Sequence, residues 1–224
     1  DDDCYQVLQL MVRLSDDIEA AVRIEVMEQI PHVAVLCVEH RGLHFAIPQY
    51  ILPVVVRYLT DPNNQVRKTS QAALLLLLEQ EVIERVDVER QVCPVLIELC
   101  SIDSTDDFRT EAVTLMSKMA PMVGKEITER YFLGQFDNLC SDPLFHVRKV
   151  CAGNFGEMCE VIGNELTEKR LLPVFMKLCQ DGVWGVRKAC AECFMNVSTV
   201  ASKDVRRTKL APLFINLLGD KSRW

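Results

Sequence analysis

An aspartate followed six residues later by an arginine, with an apolar residue just before the arginine, occurs five times in one register. The copies are Asp17…Val22-Arg23, Asp61…Val66-Arg67, Asp103…Phe108-Arg109, Asp142…Val147-Arg148 and Asp181…Val186-Arg187. The arginine-to-arginine steps are 44, 42, 39 and 39 residues, and Asp220 opens a sixth copy that stops at Trp224 before its arginine. Self-similarity at this period constrains the fold more than any local propensity. Each segment must be one supersecondary unit that cannot bury its apolar face alone and therefore stacks on its neighbours.

A second marker supports the register. Pro53, Pro94, Pro173 and Pro212 lie eight or nine residues before their aspartate, and Gly134 takes that place in the fourth repeat. Proline is tolerated early in a helix and bends it further in. First helices are therefore expected at about 4–14, 48–60, 88–100, 127–140, 166–179 and 205–218. A turn follows, with Asp-Pro at 61–62 and 142–143 or Asp-Gly at 181–182, both turn formers. Second helices are expected at roughly 19–38, 64–82, 106–120, 145–161 and 184–200. The run Leu74–Leu78 reads as apolar all round, as for a helix packed on both sides. The period and the Asp…Val-Arg signature resemble HEAT repeats. The expected fold is all-α, a right-handed α-solenoid of HEAT repeats with five helix pairs plus the first helix of a sixth. It forms a single array with repeats at about 1–40, 46–84, 87–122, 126–162, 165–201 and 204–224, the last incomplete. Such an array is expected to flex like a spring, each repeat touching only its neighbours.

The aspartate can accept backbone N–H bonds where the second helix starts. The arginine can reach an aspartate in its own or the next repeat. Asp17, Arg23, Asp61, Arg67, Asp103, Arg109, Asp142, Arg148, Asp181 and Arg187 thus read as a structural ladder of charges.

Composition removes several functions. The net charge of −7 shows no basic face for phosphates, which argues against nucleic acid. The longest apolar run, Ala72–Leu78, is far short of the roughly 20 residues that span a bilayer. No membrane partner is expected. The chain opens on Asp1-Asp2-Asp3 rather than Met and is expected to be a piece of something longer, its last helix free to pair with a second copy in a crystal. Its ten cysteines, Cys93, Cys100, Cys140, Cys151, Cys159, Cys179 and Cys190 among them, sit at helical spacing among apolar residues. They read as small buried hydrophobes in a reducing compartment, cytoplasmic, nuclear or both.

Chemistry finds little footing. His40 and His44 are four apart but flank Gly42 in a connection longer than the others, which reads as a solvated loop. Cys190-x2-Cys193 lies within a helix, with no second such pair. Gly124-Lys125 lacks the upstream glycine of a phosphate loop, and no nucleophile elbow or HExxH is present. Asp106-Asp107 and Glu79/Glu81 read as solvated faces. No enzyme, metal or cofactor is expected.

The position three after each aspartate stands out. It is held by Ala20, Asn64, Asp106, Phe145, Trp184 and Arg223. Phe145 and Trp184 are large apolar residues where a turn should be polar, and stacking would set them about 10 Å apart on neighbouring repeats. Two readings stand: an exposed protein-binding edge that includes Asn64, Asp106 and His146, or rings folded back over the next repeat.

Leu52-Pro53-Val54-Val55-Val56-Arg57-Tyr58-Leu59 and Asp181-Gly182-Val183-Trp184-Gly185-Val186-Arg187 carry a resemblance to HEAT scaffolds of the protein phosphatase 2A A-subunit type, and more closely to regulatory subunits of phosphatase 4. It covers essentially the whole chain. The resemblance implies a noncatalytic scaffold that binds a Ser/Thr phosphatase catalytic subunit and recruits substrate proteins. It implies docking on the turn ridge, where Trp184 and Phe145 match contacting types. The acidic turn of repeat three and the enlarged linker around His40–Phe45 depart from the pattern. A HEAT adaptor of another class, such as a nuclear transport receptor or a complex-assembly platform, is the alternative.

Overall fold

The computed structural model describes residues 2–222, and Arg223, the last of the ridge positions, lies outside them. Eleven helices and no strand occur among the described residues. They divide into two compact units, Asp1–Leu96 and Ile97–Trp224. The first holds repeat one (Asp2–Leu14 and Ala20–Glu39), repeat two (47–58 and Asn64–Glu79) and most of the first helix of repeat three, 85–99. The second continues with Asp106–Val123, then 125–139 and 145–162, 164–178 and Trp184–Val200, and finally 203–218. Each unit is a stretch of α-solenoid built from stacked helix pairs.

From repeat two onward the first helices begin one to three residues earlier than expected, because the proline is not near their start. In repeats three, five and six it lies nine residues in. The helix accommodates it through a π-turn just upstream, at Ile47–Ile51, Val88–Val92, Thr167–Leu171 and Arg206–Leu210. There the residue before the proline donates its N–H five residues back, as Cys93 does to Val88 and Leu172 to Thr167. The widened turn makes room for the ring and for its missing donor. Repeat four has the same turn at Thr128–Phe132 with Gly134 in place of proline, so proline fits a widening that the repeat already uses.

The second helices differ at their ends for identifiable reasons. Asn64–Glu79 stops before 82 because Glu81 takes a positive φ of 55°. Asp106–Val123 runs past 120 and stops at Gly124. The 145–162 helix is interrupted at Asn154, whose side chain donates to the Val150 carbonyl. Gly124 (φ 87°, ψ 173°) and Gly163 (φ 83°, ψ 177°) are single-residue links from one repeat to the next, in a conformation that strongly favours glycine.

The expectation that Leu74–Leu78 packs on every side fails at Leu76, which is exposed. It lies over a shallow groove with Met27, Pro31 and Ala72, so only part of the run's circumference is covered. In the second unit an aromatic column forms the core. Phe136, Phe155, Phe175, Phe194 and Phe214 follow one another at centroid separations of 5.3, 5.0, 5.6 and 5.1 Å. First-helix and second-helix rings alternate, and tilted ring pairs of this kind add about 0.5–1.5 kcal/mol each beyond burial.

Candidate protein-binding ridge

The turn inside each repeat is built around its aspartate. Asp17, Asp61, Asp142, Asp181 and Asp220 each accept, through Oδ1, the backbone N–H two residues on, at Glu19, Asn63, Leu144, Val183 and Ser222, at 2.8–2.9 Å. In the first four the bonded residue is the one that caps the second helix. The aspartate therefore orients the cap residue instead of bonding to the helix's first free amides. Asn63 then caps through its own side chain, accepting from Gln65 and Val66.

All of these carboxylates but Asp17 receive the arginine of the preceding repeat in a two-pronged pair. Arg23–Asp61, Arg109–Asp142, Arg148–Asp181 and Arg187–Asp220 have Nε–Oδ2 separations of 3.0, 2.8, 2.7 and 2.5 Å, with Nη2 donating to Oδ1 at 3.1–3.3 Å. The third nitrogen turns back. Nη1 of Arg23, Arg67, Arg148 and Arg187 donates to the carbonyl of the aspartate in its own repeat, at 2.7–2.9 Å. Each of these guanidinium groups binds its own turn, and Arg23, Arg148 and Arg187 also tie it to the next, geometry suited to arginine's planar fork. Burial pushes the Asp181 carboxyl up, but hydrogen bonds from Arg148 and the Val183 N–H outweigh it and hold the group below the ordinary carboxylate range. Arg187 and Ser222 hold Asp220 well below that range.

Repeat three departs. Ten residues separate Leu99, where its first helix ends, from Arg109, against nine from Tyr58 to Arg67, Leu139 to Arg148 and Leu178 to Arg187. The extra residue moves Asp103 one place out of register and leaves it exposed. Arg109 Nη1 then donates to Ser104, not Asp103, at 2.6 Å, and the Thr105 hydroxyl caps the second helix by accepting from Phe108.

Ala20, Asn64, Asp106, Phe145 and Trp184 are each the first residue of a second helix. Trp184 is 53% exposed and Phe145 38%, so neither ring is folded away over a neighbour. Asn64 is exposed and Asp106 half-buried. His146, also exposed, stacks on Phe145 with centroids 3.9 Å apart. Phe145 and Trp184 sit on second helices that pack together, with Gly185 beside Lys149. Sequence reasoning missed Ile18, Ile102 and Leu144, which are exposed on the same turns at 91, 63 and 42%. Counting the two places after each aspartate would have found Ile18 and Leu144. Ile102 is hidden by the extra residue.

The other candidates are occupied structurally. His40 Nδ1 and His44 Nε2 lie 2.9 and 2.6 Å from the carbonyls of Leu36 and Val38 and so bind the end of Ala20–Glu39. Cys193 donates to the Ala152 carbonyl. All ten cysteines are free and nine are buried, and burial pushes Cys93, Cys100, Cys159 and Cys193 up to about 12. Among the described residues no group of three or more His, Cys, Asp or Glu could hold a metal ion, and no helix is long and apolar enough to cross a membrane.

Comparison with known proteins gives the fold and the lineage. The chain is 62% identical over 159 residues to serine/threonine-protein phosphatase 4 regulatory subunit 1 of Rattus norvegicus and, equally, of Homo sapiens; the match spans 70% of this chain and 17% of each relative. Among solved structures, a karyopherin, Kap121p, superposes with a TM-score of 0.70 at 19% identity, over 97% of this chain and 22% of that one. A Kap95p structure gives 0.73 at 14%, over 96% and 28%. At such identities these two show the shared helical-repeat fold alone. The PIK3R4-like, middle domain family matches residues 7–224, nearly the whole of the helical array, and the chain belongs to that family.

Proposed function

We propose that this chain is a stretch of a noncatalytic regulatory or scaffolding subunit that holds a Ser/Thr phosphatase catalytic subunit of the phosphatase 4 type and recruits substrates to it. The observation that carries the reading is the ridge. Trp184 and Phe145, the latter stacked by His146, present exposed aromatic rings on turns whose backbone is pinned by buried or half-buried ion pairs. Rigid, exposed aromatic anchors of this kind dominate protein interfaces. The relatives named as regulatory subunits supply the partner class. The recurrence of the Asp…Arg spacing in five repeats supports residues 1–224 as one array, and the abundance of unpaired cysteine supports a reducing compartment, cytosol or nucleus.

The test is capture of the phosphatase 4 catalytic subunit by the full-length protein, wild type against Phe145→Ala/Trp184→Ala. Losing two anchors of hot-spot quality should cost at least about 2 kcal/mol of binding, roughly thirtyfold. Melting should move little, because exposed side chains contribute within about 0.5 kcal/mol. Undiminished capture by the double variant would move the site off the ridge, and no capture by the wild type would end the phosphatase reading.

A further inference from the structure

The two helices of a repeat run antiparallel, so connections between repeats lie at the edge opposite the aspartate-bearing turns. In the C-terminal unit these connections are minimal: Gly124, Gly163, and Ala201-Ser202. In the N-terminal unit they are the longer segments 40–46 and 80–84. Repeat two is also short at this edge. In repeats three to six the first helix opens with a full turn ahead of its π-turn, whereas in repeat two the π-turn itself begins the helix at Ile47. A tight turn at Arg41–Leu43, then His44 and Phe45, stands where that helical turn would be.

The missing turn leaves a cavity of about 420 Å³, within the size range of small-ligand clefts. One wall is apolar, made by Val38, Phe45, Ile47 and Pro48. Val38 and Phe45 are about two-fifths exposed. The facing wall carries three carboxylates, Glu81, Glu84 and Asp87. Among the described residues no lysine or arginine lines the cavity, and the nearest in sequence, Arg85, pairs with Glu89 at 3.5 Å. His44 is spoken for by the Val38 carbonyl. Glu81 stands where a helix end usually has glycine, in the left-handed region at φ 55°, held by its N–H to Leu78 and by Val82 N–H to Leu77. A side chain is thus present at a position where glycine would cost less.

We propose that this cavity is a docking site for an extended peptide of a partner protein in which one apolar side chain is flanked by lysines or arginines. The apolar wall takes the central side chain, and the three acids facing it take the flanking cations. Charge complementarity selects this occupant, since an acidic or neutral peptide would leave three carboxylates crowded and uncompensated against it. The proposal does not rest on the phosphatase reading, because the ridge lies at the other edge of the repeats.

The test uses the full chain and a fluorescein-labelled peptide of alternating lysine and leucine, read by anisotropy. Lysine–serine and glutamate–leucine peptides serve as controls. Saturable binding is expected for lysine–leucine alone, weakening with added salt. The variant Glu81→Gln/Glu84→Gln/Asp87→Asn should bind at least tenfold more weakly and Phe45→Ala about fivefold. The variant Glu157→Gln/Glu160→Gln/Glu165→Gln removes the same charge from exposed sites elsewhere and should stay within twofold. Amide exchange on the wild type should show peptide protection confined to 38–48 and 81–87, a readout independent of whether any variant folds. Equal weakening by the two triple variants, equal binding of the lysine–serine peptide, protection elsewhere, or no saturable binding overturns the proposal. So does a dimer in light scattering that the first triple variant abolishes, which would make a second copy the occupant.

Discussion

Replacing Arg109 by methionine isolates what a single rung of the ladder contributes. The Arg109–Asp142 pair is the most buried of the four, with side chains 5 and 2% exposed. Asp142 accepts from Arg109 Nε at 2.8 Å, from its Nη2 at 3.3 Å and from the Leu144 N–H at 2.9 Å. Methionine keeps most of the apolar stem but leaves a buried carboxylate with one neutral donor, and Ser104 loses its charged partner. Breaking one side of a buried pair costs about 3–5 kcal/mol, although the intact pair adds far less relative to an apolar replacement. The double variant Arg109→Met/Asp142→Asn removes the stranded charge and keeps an acceptor for Leu144. It should recover more than half of the loss, a coupling of about 2 kcal/mol. Because repeat arrays need not unfold in one step, the measurement is amide exchange within Asp106–Val123 and 145–162, where about 3 kcal/mol lowers protection more than a hundredfold. A loss under about 1 kcal/mol for Arg109→Met, or a double variant as damaged as the two single changes summed, would refute the reasoning.

The thiols should divide sharply. Thiol titration of the native chain at pH 8 should label Cys4 quickly and the nine buried cysteines only after denaturation, and two or more fast thiols would contradict the packing. Acid should loosen repeats five and six first. Asp181 and Asp220 are held below their ordinary values, so their contribution is complete above about pH 4 and is lost as pH falls through the lower folded values. Asp220→Asn should flatten the acid limb of a melting-versus-pH curve, and an unchanged slope would remove Asp220 from the account. Among glycines, Gly163→Ala should cost about 1–2 kcal/mol because φ is 83°. Gly156→Ala should also destabilise, since its Cβ would lie 2.6 Å from Asn196 Cβ. Gly153→Ala, with nothing within 4 Å and no positive φ, should be neutral or gain about 0.4–1 kcal/mol. Denaturant midpoints of the three variants would test that order.

The helix pairs were legible because an Asp…Arg period and apolar patterning are properties of the chain itself. The π-turns were not. Their sequences, from Ile47–Ile51 to Arg206–Leu210, share a buried apolar fifth residue, which any helix facing a core also has, and repeat four shows that proline does not cause them. The direction of each arginine was open because spacing cannot choose between two aspartates of equal reach, whereas the guanidinium fork serves both, its Nη1 on one turn and its Nε and Nη2 on the next. Phe136, Phe175 and Phe214 repeat at 39 residues, as do Phe155 and Phe194, so the aromatic column could have been read by counting. Ridge positions could be counted too. Their exposure could not, since each opens its second helix at the same place and its exposure depends on how the neighbouring repeats pack.

The ladder and the ridge are one device. Asp181 accepts Arg148 from the repeat before it and, through Oδ1, also the N–H of Val183, the residue immediately ahead of Trp184. Asp142 does the same for Arg109 and Leu144, immediately ahead of Phe145. The direction in which each aromatic leaves its turn is therefore set by an arginine 36 residues upstream, Arg109 being buried and Arg148 half-buried. This arrangement suits a binding edge made of separate turns. Each turn alone is a short loop that would lose conformational entropy on binding. A turn tied by charged hydrogen bonds both to its own arginine and to the preceding one has already lost much of that freedom on folding. On the proposed reading of the ridge, preorganisation would let a few exposed rings, with Ile102 and Leu144 beside them, serve as anchors without a pocket to hold them.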